Sequence, residues 1–272
     1  MEWSKIKTII ILLLAMVNLA LLALVGYREH EARQYENDLM DGVIQLLEEN
    51  GIRLAGDALP ETRADQVLTL TRDVASEDAL ARLLLGECQE NGSGIRAYTG
   101  PRGQVRFHAN GDFTLVYAAG QGETADGSPE AHVQGLLAEA GMDCAVMEVQ
   151  ESGARVTVTL NQRWDGWPVQ GCAMTAVYES GVLLELNGRR LMGTPAASGR
   201  EEAQSDATLL VRFLGSLMES GNVCSEITRI RSGYHLLSGV NDAAALRPVW
   251  LVETDSGTYQ VDVCSGEMER IG

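Results

Sequence analysis

Lysine is almost missing from this chain: of its 272 residues only Lys5 and Lys7 end in an ammonium group, and both lie within the first seven positions. A phosphate-cradling loop of the G-x-x-x-x-G-K-[ST] kind is thereby excluded, since Gly-rich runs such as Gly92-Ser93-Gly94 lack that frame and its cation. Histidine is scarce too. His30, His108, His132 and His235 stand in unrelated contexts, and neither G-x-S-x-G nor S-x-x-K occurs. Nucleophilic catalysis needs a base within reach of its nucleophile, and no motif places one. His30-Glu31-Ala32-Arg33-Gln34 starts like H-E-x-x-H but lacks the second histidine, and one missing ligand removes the zinc site. The expectation is a protein that is not an enzyme, with no catalytic residue, metal ligand or cofactor site.

Cysteine is sparse and scattered. Cys88, Cys144, Cys172, Cys224 and Cys264 are far apart, and no C-x-x-C occurs, which excludes a thioredoxin-type redox pair and a zinc knuckle. Two readings stand: one or two disulfides in an exported domain, or five small buried hydrophobes. Basic charge is also short, with 21 Lys and Arg against 38 Asp and Glu and a formal net charge of −17. Such a surface repels nucleic acid and anionic lipid; it attracts cations or a basic protein partner, or serves solubility alone. The acid pairs Glu48-Glu49 and Glu201-Glu202 point apart on a helix and read as solvated faces.

One long hydrophobic run is present. Residues 9 to 25 contain a single polar side chain, Asn18, and with their flanks they are long enough to span about 30 Å of hydrocarbon. The exit Ala23-Leu24-Val25-Gly26-Tyr27 is a poor cleavage site, so the run is expected to stay as an uncleaved signal anchor. Lys5 and Lys7 lie on one flank and Arg28 and Arg33 on the other, a tie in charge. The shortness of the stub decides orientation: N-terminus cytoplasmic, large domain extracytoplasmic, a single-pass protein of the cell membrane. Ile11, Ala15, Leu22 and Val25 share a helical face with Asn18, whose amide in hydrocarbon seeks a partner worth about 0.6–2 kcal/mol. That face is the candidate contact for another protein's transmembrane helix, or else Asn18 bonds its own backbone.

Beyond the run the chain reads as α+β, with helices followed by antiparallel strands in repeated units. Residues 28–50 favour helix, with Tyr35, Leu39, Val43, Leu46 and Leu47 as an approximate stripe ended by Asn50-Gly51. A helix over 77–90 precedes strands at 95–98, 105–108 and 113–117. Ser128 as N-cap and Pro129 at the first turn open a second helix, with Val133, Leu136, Leu137 and Ala140 inward and Gly141 as its stop. Strands over 146–150, 156–160, 172–178 and 182–186 follow. A third helix over 200–220 leads to 225–231 and to the hairpin in "PVWLVETDSGTYQVDV", with Tyr259, Val261 and Val263 on one face. Linkers are expected at 118–130 and 190–202. The expected division is a cytoplasmic stub (1–8), a transmembrane anchor (9–27), a membrane-proximal helix with a first α+β unit (28–120), a second unit (121–198) and a third (199–272). Trp164, Trp167 and Trp250 line a groove or cover the core.

The opening Trp3-Ser4-Lys5-x-Lys7, followed by a single span with a polar Asn18, resembles the start of the YycI family. The C-terminal Pro248-Val249-Trp250-x-Val252-Glu253-Thr254-x-Ser256-Gly257-Thr258-Tyr259 is similar to hairpins of that family and of PepSY-type domains. The resemblance implies a non-enzymatic accessory regulator of a two-component system that controls cell-wall metabolism. It would contact a WalK-like sensor histidine kinase and a YycH-like sibling through the membrane. Trp3, Lys5, Lys7, Ile11, Ala15, Asn18, Leu22 and Val25 would carry the partner contact, as a heterodimer or a homodimer. The other reading is an anchored PepSY-like inhibitor or chaperone of a secreted peptidase.

Overall fold

A computed structural model describes residues 38–91, 95–199, 201–239 and 243–271, with eight further positions between 14 and 24. The fold is mixed α+β around a large, 15-stranded sheet. Three helices each lead into an antiparallel meander. Helix α1 covers residues 38–49. Helix α2 (Val74–Leu85) precedes β3 (Gln89–Asn91), β4 (Arg96–Gly100), β5 (Gly103–Phe107) and β6 (Asp112–Tyr117). Helix α3 (Pro129–Glu139) precedes β7 (Cys144–Ser152), β8 (Arg155–Trp164), β9 (Trp167–Glu179) and β10 (Val182–Arg189). Helix α4 (Asp206–Ser220) precedes β12 (Glu226–Ser238), β13 (Ala243–Thr254), β14 (Gly257–Asp262) and β15 (Met268–Arg270). The short strands β1 (Arg53–Leu54), β2 (Leu68–Thr71) and β11 (Ala196–Ala197) extend the third meander: β1 pairs with β12, β2 with β13, and β11 with β2.

The first two meanders join through their last strands, β6 against β10 antiparallel, with α2 and α3 on one face. Leu80, Leu84 and Leu85 from α2 and Val133, Leu136 and Leu137 from α3 cover Phe107, Phe113, Leu160 and Tyr178. The third meander has its own core. Leu210, Phe213, Leu214 and Leu217 of α4, with Val43 and Leu47 of α1, pack on Trp250, Val252, Tyr259 and Val261. The start of β9 ties the two halves together, running parallel to β12 with Val169 opposite Tyr234 and Gln170 opposite His235. A smaller core fills this joint, including Val169, Cys172, Tyr234, Leu236 and Met192, with Trp164 and Trp167 packed against it.

Caps explain where the helices stop and start. Asp73 accepts from the Ala75 and Ser76 amides at 3.0 and 3.2 Å, so α2 begins three residues before the expected Glu77. It also ends early, because Gly86 turns the chain at φ 73 and Gln89–Asn91 leaves as a strand. Ser128 caps α3 as expected. Helix α4 starts at Asp206 rather than 200, since Gln204 is tied instead to the backbone of Val263 and Cys264. In α1 the expected stripe divides: Val43 and Leu47 are buried, whereas Leu39 and Leu46 are exposed. Residues 190–202, expected to be a polar linker, begin with buried Arg190, Leu191 and Met192 and contain β11.

All five cysteines are free; Cys144, Cys172 and Cys224 are buried, so of the two readings the structure carries the hydrophobic one. Burial pushes the Cys144 and Cys172 thiols up to about 12. Gly188 shows how closely adjacent strands of the second meander meet. It sits in β10 at φ +143, and a Cβ there would lie 2.3 Å from the Ala173 carbonyl oxygen and 2.6 Å from the Met174 Cα of β9. Gly188→Ala is therefore expected to lower stability by about 1–3 kcal/mol. A chemical-denaturation midpoint equal to that of the native chain would contradict the close approach.

Candidate functional site

The eight described positions of the apolar run, which include Asn18 and Leu22, are helical and exposed. A spacing of four puts those two side chains on one helical face. Trp3, Lys5, Lys7, Ile11, Ala15 and Val25 lie outside the described residues, as does most of the expected transmembrane helix. Among the described residues no helix is long and apolar enough to cross a membrane. Nor, among them, does any group of three or more His, Cys, Asp or Glu side chains stand ready to hold a metal.

A different site comes from the third meander. Alternation along β14 sends Tyr259 and Val261 into the α4 core and turns Gln260 and Asp262 to the opposite face. Register then places His235 of β12 opposite Arg247 of β13, and Val249 of β13 opposite Asp262. Glu269 of β15 stands opposite Gln260. Together these side chains line a groove of about 480 Å³ on the face turned away from α4.

Electrostatics divide the groove into a closed end and an open one. At the closed end Arg247 binds Asp262 and forms a two-pronged contact to Glu201, with Nη1 to Oε1 at 3.2 Å and Nη2 to Oε2 at 2.7 Å. Asp262 also accepts from the Ser265 and Cys264 amides at 2.7 and 2.9 Å. Burial pushes its carboxyl up, but Arg247 and those amides outweigh burial and hold it below the usual carboxylate range. At the open end Gln260 is 9% exposed and its Nε2 donates to His235 Nδ1 at 2.7 Å. Burial lowers the His235 pKa, with Glu269 and Asp262 opposing. Neutral histidine is thus the favoured form, which leaves Nδ1 free to accept.

Sequence reasoning did not reach this groove. Gln260 and Asp262 were legible as the face opposite Tyr259 and Val261, but nothing local says that His235 comes to lie beside Gln260. Of the tryptophans, Trp250 is core at 1% exposure, while Trp164 and Trp167 flank the Asp165-Gly166 turn and pack on the joint.

No family model and no curated protein matches the sequence. An uncharacterized protein from Eubacterium rectale is similar in structure at 12% identity and a TM-score of 0.43, over 81% of this chain and 90% of that one. The C-terminal domain of Bacillus megaterium YpeB is similar at 9% identity and a TM-score of 0.39, over 74% of this chain and 99% of that one. Likenesses this weak carry no argument about function. They lend nothing to the YycI resemblance or to the PepSY-type one.

Proposed function

We propose that the protein is a membrane-anchored, non-enzymatic regulator whose N-terminal helix contacts a sensor histidine kinase while its outer α+β part binds a protein partner. The observation that carries the reading is the apolar run. Leu14, Met16, Val17, Leu19, Leu21, Leu22 and Leu24 are helical and each at least 49% exposed, and apolar surface on that scale calls for lipid or a partner helix to cover it. The resemblance to the YycI opening supplies the kinase and the YycH-like sibling as partners. In this reading the outer part responds to its ligand and α1 relays the response to the anchor. A coupling free energy of about 1–3 kcal/mol is enough to bias a two-state kinase.

A bacterial membrane two-hybrid assay with the full chain and the WalK-like kinase tests the reading. Asn18→Leu is expected to weaken association about 3- to 30-fold, and replacing residues 9–27 by an unrelated span is expected to abolish it. Unchanged association in both would sink it. The PepSY-like part favours a second reading, an anchored inhibitor or chaperone of a secreted peptidase. That reading predicts full activity from residues 28–272 detached from the span, where the kinase reading predicts loss.

A further inference from the structure

The groove on the third meander carries several acceptors that meet no cation among the described residues. One of the two Nε2 hydrogens of Gln260 goes to His235, while its carbonyl oxygen accepts no hydrogen bond among the described residues, on a residue that is only 9% exposed. Glu267 and Glu269 line the same groove, are exposed, and form no ion pair among the described residues. Arg247, among the described residues the one cation lining it, is already committed to Asp262 and Glu201. Leu237 and Val249 supply an apolar wall beside these oxygens.

We propose that this groove binds a lysine or arginine side chain of a partner protein, its aliphatic stem along Leu237 and Val249 and its cationic head on Gln260 Oε1, Glu267 and Glu269. A carbonyl and two carboxylates are acceptors, and the two negative charges favour a cation over an anion. The aliphatic stem of such a side chain suits the apolar wall. The chain's formal charge of −17 steers a basic partner toward it, and its own two lysines lie at the far end of the sequence. The inference goes beyond the kinase reading and stands or falls independently of it.

His235 sets the orientation of Gln260 and so gives the groove a pH dependence. Neutral Nδ1 accepts from the amide nitrogen, which keeps the amide oxygen available for the ligand. A protonated ring donates instead, so the amide must turn over and present its NH2 group to a bound cation. The charged groups facing the ring are Arg247 from β13, Asp262 from β14 and Glu269 from β15, while β9 contributes the uncharged Gln170. Burial lowers the histidine's pKa, so the loss of binding falls below pH 6.5.

The test uses the full chain in phosphatidylcholine nanodiscs and an immobilised pair of capped peptides, acetyl-Gly-Ala-Lys-Ala-Gly-amide and its norleucine counterpart. The lysine peptide is expected to bind about tenfold or more tightly than the norleucine one. Glu267→Gln combined with Glu269→Gln should remove that difference, with circular dichroism unchanged because both side chains are exposed. Affinity for lysine should fall several-fold as the pH is taken from about 7.5 to below 6.5, and His235→Asn, whose oxygen still accepts from Gln260, should flatten that step. Equal binding of the two peptides, no binding of either, or an unaltered preference in the double variant would overturn the proposal. The same double variant in the two-hybrid assay reports on the kinase contact separately.

Discussion

Glu77→Gln is expected to lower the unfolding free energy by about 3–5 kcal/mol. Glu77 is 1% exposed in α2, and its carboxylate is surrounded by arginines. Oε1 accepts from Arg72 Nε at 2.8 Å and lies 3.5 Å from Arg190 Nη2. Oε2 accepts from Arg72 Nη2 at 3.1 Å and lies 3.4 Å from Arg96 Nε. The side chains of Arg72 and Arg190 are 9% and 6% exposed, so water cannot take over the role of the carboxylate. Burial lowers the Arg190 pKa and Glu77 opposes that shift. A neutral amide therefore removes the carboxylate that these two buried, like-charged guanidinium groups share. Unfolding by guanidinium chloride, followed by far-ultraviolet circular dichroism on the full chain in detergent, measures the loss. A change under about 1 kcal/mol would mean that the cluster relaxes or hydrates. A double-mutant cycle with Arg190→Met is expected to recover part of the loss, because the second change removes one stranded charge.

Trp250→Ala is expected to cost about 3–5 kcal/mol, while Trp250→Phe costs far less. The indole is 1% exposed and fills the core between α4 and the third meander, where Phe213 meets Tyr259 edge to face at 5.6 Å between centroids. Alanine leaves a cavity that this close-packed layer fills only partly. Phenylalanine keeps most of the apolar volume and deletes Nε1, a buried donor with no hydrogen-bond partner among the described residues. Removing a stranded donor offsets part of the lost packing, since an unsatisfied buried polar group costs about 1–3 kcal/mol. The same denaturation experiment decides: equal losses for the two variants would show that packing volume is not what Trp250 supplies.

Local chemistry was largely legible. Ser128 and Pro129 mark the start of α3, and the 3.6-residue spacing of Leu210, Leu214 and Leu217 marks the buried side of α4. Tyr259, Val261 and Val263, all fully buried, were readable as one strand face from alternation alone. The α+β class follows from those features, because each is decided by neighbours within a few residues. Helix ends were read less well where a competing bond lay elsewhere in the chain. Gln204, for instance, looks helical in sequence but is held by Val263 and Cys264.

By itself the sequence determined the periodic elements, the lack of catalytic and metal-binding motifs, and the apolar run with its one amide. Tertiary structure alone decided that Glu77, Arg72 and Arg190 form one buried cluster, that β9 joins the second and third meanders, and that His235, Gln260 and Glu269 share a groove. The physical reason is range. Periodicity and capping record interactions a few residues apart, whereas cross-strand register depends on which distant strands find each other, and a slip of one residue would turn every side chain to the other face.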